Sequence, residues 1–237
     1  MIKFSLILNT RNRPQLLSNL IDSIIWKTAN TAEIELLISA DDDDIATQMK
    51  FNKYDPQWGG FLPEFASIEY IPRERNLHKR INNLVARSKG EFIWLLNDDC
   101  LIETQNWDEC YTYLKSFKDG LVLGNVACTS VDKEETAQYS SFPIVSRKIY
   151  DLLGHIISPA LPGLGGDVYL WRLFSRINRI ITLPISVRHV LHESVKQVIN
   201  CDTTAAEMRQ ATKIAGINCW TMSIDKDVEI LKNAILY

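Results

Sequence analysis

Gly90-Glu91-Phe92-Ile93-Trp94-Leu95-Leu96-Asn97-Asp98-Asp99 is the stretch whose reading decides the fold. Phe92 to Leu96 is wholly apolar, which suits a strand buried on both faces. It runs straight into two carboxylates, Asp98 and Asp99, which are therefore placed at the carboxyl edge of a sheet. Open α/β sheets bind their ligands at that edge. Two adjacent carboxylates repel each other unless a cation sits between or beside them. A divalent metal holding a diphosphate supplies that charge, because hard cations take oxygen ligands and complete their shell with phosphate and water. The competing reading is a solvated acidic turn, since Asp and Asn are common turn formers.

Strand and helix alternate on the N-terminal side of this stretch. Phe4 to Leu8 is a short apolar run closed by the polar turn Asn9, Thr10, Arg11, Asn12, Arg13. Pro14 then opens a segment with Leu16, Leu17, Leu20, Ile21, Ile24 and Ile25 at the spacing of a one-faced helix, and proline is tolerated in a first helical turn. Ile34 to Ala40 is the next apolar run and ends in four aspartates, Asp41 to Asp44. An irregular stretch follows from Phe51 to Gly60; beyond it Ile68 to Ile71 reads as a strand and Leu77 to Ser88 as a helix. Repeated strand, helix, strand units predict an α/β fold with a mixed, mainly parallel sheet. On the C-terminal side the spacing predicts helices over 107–117, 144–153, 168–177 and 203–215, and strands over 121–127 and 180–191, the last interrupted by Pro184. Residues 157–166 form a Pro- and Gly-rich loop. With no repeat and no low-complexity linker, one domain spanning 1–237 is expected.

The chain has 237 residues, 46% of them hydrophobic and 23% charged, so it has enough apolar material for a large core and is not disordered. Its 26 Lys and Arg against 29 Asp and Glu leave a formal charge of −3, which argues against a nucleic-acid partner. The five cysteines form no CxxC pair, a pattern that suits a reducing compartment better than a disulfide framework or a zinc knuckle. The apolar start, Met1 to Leu8, is too short for a signal-peptide core or a transmembrane segment. A cytoplasmic protein is the expectation.

Further groups lie where they would reach the same edge. In the run Asp41 to Asp44, Asp41 directly follows the second strand and is placed to accept from a base or a ribose; the others read as a solvated loop. Arg73, Arg75, Asn76, His78, Lys79, Arg80, Asn82 and Asn83 surround a helix start, and both helix N-termini and arginines favour anions. Only one or two of these would point into a cleft. Gly163-Leu164-Gly165-Gly166-Asp167 puts a carboxylate behind a flexible loop, as a general base on a hydroxyl or as a helix cap. His189 and His192 are three apart in a β-like segment and would face opposite ways, so at most one would join a metal site.

Taken together, these segments resemble the GT-A-fold glycosyltransferases, specifically the large inverting family that uses nucleotide-diphosphate sugars. Residues 5–24, SLILNTRNRPQLLSNLIDSI, are similar to its first strand, turn and helix. Residues 36–44, LLISADDDD, resemble the second strand with its base-binding aspartate. Residues 81–99, INNLVARSKGEFIWLLNDD, resemble the asparagine, Gly-Glu pair and acidic motif: Asn82 lies eight residues before Gly90, and Asn97 seven after it. GGDVYLWRL and RHVLHES resemble the segments that carry the catalytic aspartate and a late metal-binding histidine. The resemblance covers about residues 3 to 193.

By position, the resemblance implies that Thr10 and Arg13 line a nucleotide pocket and that Asp41 binds base or ribose. Arg80 and Asn82 would face the nucleotide and diphosphate. Asn97 would donate to a sugar hydroxyl, Asp98 would bind ribose, and Asp99 with His192, or failing that His189, would hold Mn2+ or Mg2+. Asp167 would be the base. The family usually has Asp where Asn97 stands and Pro where Asn9 stands; without a charge at Asn97, metal affinity would be weaker. The implied reaction moves a sugar, with UDP-sugars favoured, to a glycan or other hydroxyl acceptor with inversion. Residues 1–100 would bind the nucleotide and 101–237 the acceptor. The alternative is a nucleotide-sugar or glycan binding module without turnover. A dinucleotide oxidoreductase and a phosphate-loop kinase are excluded, because residues 9–14 hold no glycine and GxxxxGK[ST] is absent.

Overall fold

The computed structural model describes residues 1–51, 62–74, 76–129, 139–161, 163–190 and 222–235. In chain order the elements are β1 (Phe4–Thr10), α1 (Pro14–Lys27), β2 (Ile34–Asp41), α2 (Ile45–Lys50), β3 (Ala66–Ile71), α3 (Leu77–Arg87), β4 (Phe92–Leu95) and β5 (Cys100–Ile102). A 3-10 turn, Trp107–Cys110, leads into the single-turn α4 (Tyr111–Leu114). Then come β6 (Leu123–Cys128), β7 (Ile144–Ser146), α5 (Lys148–Leu153), α6 (Gly166–Ser175), β8 (Ile180–His189) and α7 (Asp225–Ile235). Among the described residues eight strands form one mixed sheet in the order β3-β2-β1-β4-β7-β6-β8-β5. Its first four strands are parallel, as the repeated crossovers require.

Strand alternation divides the apolar residues between two cores. Phe4, Leu6 and Leu8 of β1 face one side, with α1 residues Leu17, Leu20, Ile21 and Ile24 and the indoles of Trp94 and Trp107. Ile7 faces the other, with Leu84 and Val85 of α3, Tyr169, Leu170 and Leu173 of α6, and Val228 and Leu231 of α7. The sheet is therefore covered on both faces, which is why β4 at its centre is apolar throughout.

Helix 144–153 is a misreading of the sequence: residues 144–146 form β7, antiparallel to both β4 and β6, and only 148–153 are helical. The reason is visible in the side chains, since Ile144 packs into one core and Val145 into the other, the two-residue period of a strand. Over 107–117 the expected helix shortens to the 3-10 turn and α4. Pro184 is accommodated by a register shift where β8 pairs with β6 between Asn125 and Ala127, so the strand bends rather than stops. The expected helix over 203–215 lies outside the described residues. Nor is the aspartate run all solvated. Asp44 is fully buried; its carboxylate caps α2 by accepting from Thr47 N at 3.0 Å and also accepts from Asn12 N, in the turn after β1, at 2.8 Å.

Gly90 lies against β1: its N–H donates to Ser5 Oγ at 2.8 Å, and a Cβ there would sit 2.5 Å from that oxygen and 2.6 Å from the Phe4 carbonyl carbon. Because backbone cannot yield as a side-chain tip does, Gly90→Ala is expected to cost about 2 kcal/mol. Denaturant unfolding would read this as a lower midpoint at unchanged slope.

Candidate functional site

The carboxyl ends of β1, β2 and β4 open into a cleft of about 420 Å³. Thr10, Arg13, Asp41, Arg80, Asn97, Asp98, Asp99, Asp167 and His189 all line it. Of the residues singled out in the sequence, Asn82 is not among the lining residues and His192 lies outside the described residues.

Asp41, at the end of β2, is buried and holds two arginines. Arg80 Nη1 donates to its Oδ1 and Arg11 Nη1 to its Oδ2. Arg80 is buried as well, and its Nε and Nη2 donate to Ser39 Oγ at 3.1 and 2.9 Å. Arg11 also forks onto Asp43, and that hydrogen bond, opposed by partial burial and helped by Asp41, raises its pKa above the ordinary arginine value. Sequence reasoning missed Arg11, which sat in the turn after β1 as one more polar residue. Its signal was position, because a turn after β1 lies beside the end of its parallel neighbour β2.

At the end of β4, Asp98 accepts from Thr10 Oγ1 at 2.8 Å and from Arg13 Nη1 at 3.1 Å. Burial pushes its pKa up to about 6, with Arg13 opposing, Asp99 adding to the rise, and the Thr10 hydrogen bond opposing. Asp99 lies 3.6 Å from Arg13 through Oδ2, while its buried Oδ1 accepts no hydrogen bond among the described residues and faces His189 Nε2 at 3.1 Å. The short strand β5 makes that contact possible: it pairs antiparallel with β8 in a register that sets Cys100 opposite His189. Asn97 is exposed at the turn between β4 and β5.

Asp167 occupies the first turn of α6, where its Oδ1 accepts from Val168 N at 2.8 Å. It is partly exposed to the cleft, yet surrounded closely enough that burial raises its pKa. The preceding Gly165 has φ +85, a left-handed conformation that glycine adopts without penalty.

His78 is the second residue whose part the sequence hid, being one member of a basic cluster. It is buried at the start of α3, and its Nδ1 donates to the Leu161 carbonyl at 2.9 Å. Burial lowers its pKa to about 4, against a weaker upward pull from that hydrogen bond. Between the unfolded value near 6.5 and 4, the unfolded chain binds a proton that the native chain does not, so stability falls as pH falls through this window. The expected loss is at most about 3 kcal/mol. Urea titrations at pH 7 and pH 4.5 would show it, and His78→Asn would remove this component.

Asn82 is spent elsewhere. Its Oδ1 accepts from Ile156 N at 2.9 Å and Ile157 N at 3.2 Å, and its Nδ2 donates to the Ile157 carbonyl at 2.7 Å. Among the described residues no group of three or more His, Cys, Asp or Glu side chains is arranged to hold a metal. What the cleft does offer is the Asp99 and His189 pair, with one oxygen and one imidazole nitrogen.

Residues 5–172 match the model of glycosyl transferase family 2, well over half of the chain. Among solved structures, TarS 1–349 of S. aureus in complex with UDP is 13% identical with a TM-score of 0.59, over 94% of this chain and 73% of that one. The mannosyltransferase PcManGT from Pyrobaculum calidifontis, in complex with GDP-Man and Mn2+, is 12% identical with a TM-score of 0.59, over 99% of this chain and 80% of that one. Against the longer TarS structure, at 12% identity and a TM-score of 0.58, the match covers 99% of this chain but 43% of that one. Among curated proteins none matches the chain. These likenesses fix the fold as that of the GT-A glycosyltransferases.

Proposed function

The chain belongs to glycosyl transferase family 2, and from that premise we propose that it transfers a sugar from a nucleotide-diphosphate donor, UDP-sugars favoured, to an acceptor hydroxyl with inversion. One observation carries the proposal: Asp41, the Asp98 and Asp99 pair, His189 and Asp167 come from four distant parts of the sequence and line one cleft. Residues 1–100 would bind the nucleotide and 101–237 the acceptor. The buried free cysteines Cys100, Cys110 and Cys128 favour a reducing, cytoplasmic setting.

Asp99 and His189 would hold a divalent cation, with donor phosphates and water supplying the remaining ligands. The fit rests on the buried Asp99 Oδ1, which accepts no hydrogen bond among the described residues and faces an imidazole nitrogen, a donor set that Mn2+ or Mg2+ accepts. Such a cation neutralises charge on a diphosphate leaving group. Thr10 and Arg13 hold the Asp98 carboxylate in place for a ribose hydroxyl. Asp41, held by Arg11 and Arg80, would accept from the base through the lone pairs its carboxylate has left. On the acceptor side, the Asp167 carboxylate takes the hydroxyl proton as that oxygen attacks the anomeric carbon on the face opposite the diphosphate. Burial raises the basicity of Asp167, which suits it to that step.

A thermal-shift panel of UDP, GDP and dTDP with and without Mn2+ tests donor binding. The nucleotide that belongs to the site is expected to raise Tm by roughly 5–10 °C at a hundredfold excess over its Kd, with the shift largely lost in chelator. The same protein incubated with the corresponding nucleotide sugars should release sugar slowly. Nucleotide binding with no sugar release under varied acceptors would instead establish the binding module that the uncharged Asn97 favours. No shift with any nucleotide would end the proposal.

A further inference from the structure

Three polar side chains at the start and along one side of α3 bind the backbone of the segment that leads into the glycine loop. Asn76 Nδ2 donates to the Pro159 carbonyl at 3.2 Å and His78 Nδ1 to the Leu161 carbonyl at 2.9 Å. Asn82 makes three bonds, donating to the Ile157 carbonyl at 2.7 Å and accepting from Ile156 and Ile157 N–H at 2.9 and 3.2 Å. Gly166, next to Asp167, completes the contact. A Cβ there would lie 2.8 Å from His78 Nε2 and 2.7 Å from Ile157 Cδ1, so the start of α6 is pressed against the same groups. Between His78 and Asn82 on this helix stands Arg80, whose guanidinium is fixed on Asp41 and Ser39.

We propose that His78 and Asn82 are positioning residues for Asp167. On this view α3 is the rigid element that sets the distance between the Asp41 end of the cleft and the base. Packing alone would hold a loop against a helix without fixing its register. Hydrogen bonds to chosen carbonyls and N–H groups on both sides of the Ile156–Ile157 peptide do fix it. His78 is buried as well, and a buried polar group is costly unless paired, so the loop has little freedom to slide away from it. A displacement of the base by about 1 Å is enough to cost two orders of magnitude in rate. The inference rests on Asp167 acting as the base, and its test separates the two.

The probe is hydrolysis, with Mn2+, of whichever of the UDP-, GDP- and dTDP-sugars the wild-type protein cleaves fastest. Asn82→Ala and His78→Leu are expected to lower kcat by about 10- to 100-fold while the donor KM stays within about twofold. His78→Asn, whose Nδ2 can replace the Nδ1 donor to Leu161, should return kcat to within about threefold of wild type. In a double-mutant cycle, Asn82→Ala should cost nothing further once Asp167→Asn is present, because both act through one carboxylate. Exchange of the Ile156 and Ile157 amides should quicken in Asn82→Ala, a readout independent of turnover. Where Asn82→Ala does not fold, the His78 pair in the same cycle decides. A wild-type protein that cleaves none of the sugars, or an Asp167→Asn variant at full rate, overturns the base assignment and the coupling with it. A slow Asp167→Asn variant beside an Asn82→Ala variant with unchanged kcat, or with the same loss in both backgrounds, overturns the coupling alone.

Discussion

Asp167→Asn is expected to lower kcat for sugar transfer by about a thousandfold while leaving donor affinity within about twofold, which is the scale of removing a general base. The substitution is nearly isosteric, and the new amide oxygen still accepts from Val168 N, so the first turn of α6 should keep its geometry. Stability should not suffer. Burial raises the pKa of Asp167 above the ordinary carboxylate value, which means that ionising it costs more in the native fold than in the unfolded chain. The native state holds that proton to higher pH than the unfolded chain does, so this carboxyl costs stability once pH exceeds its unfolded value, and the amide removes the cost. Tm should therefore stay level or rise while activity collapses. The pH profile carries the same sign: wild-type rate falls as pH drops through the raised pKa, and Asp167→Asn lacks that limb. Stopped turnover with unchanged nucleotide-induced Tm shifts is the combined readout. A variant that transfers sugar at the wild-type rate would remove Asp167 from the mechanism.

The parts of the site legible in sequence are those attached to long apolar strands. Phe92 to Leu96 has five apolar residues in a row, so its direction and its acidic end follow from burial alone. Asp41 is legible in the same way from β2. What stayed hidden depends on pairings too short or too distant to leave a pattern. The three residues of β5 carry no periodicity, yet their register with β8 is what brings His189 against Asp99. β7 is equally short, and its two apolar residues were absorbed into the helix spacing of 148–153. For Asn82 the sequence supplies a position on a helix but not the direction of the amide, which the backbone of 156–157 occupies. For Arg80 the sequence supplies a cation near the cleft but not the two partners, Asp41 and Ser39, that hold its guanidinium.

Arg80 lines the cleft with its guanidinium already held by Asp41 and Ser39, and its removal should be the largest single loss of stability at the site. In Arg80→Met the buried Asp41 keeps Arg11 but loses the buried partner on Oδ1, and Ser39 Oγ loses two donors. Leaving one member of a buried ion pair behind costs about 3–5 kcal/mol, and the surviving Arg11 contact places this variant at the low end. For a chain of this length each kcal/mol lowers Tm by about 2–4 °C, so a fall of roughly 6–12 °C is expected. Adding Asp41→Asn should recover much of that loss, because the uncompensated charge, not the missing side chain, accounts for most of it. Nucleotide-induced stabilisation should not return in the double variant, since the Asp41 carboxylate would be gone. A phosphate-binding Arg80 gives the opposite pattern: Tm of the free protein would barely move in Arg80→Met, and the nucleotide shift would vanish while Asp41 remained intact. The double variant thus separates an arginine that builds the pocket from one that touches the donor, and the two short-range partners already holding its guanidinium, Asp41 and Ser39, favour the first.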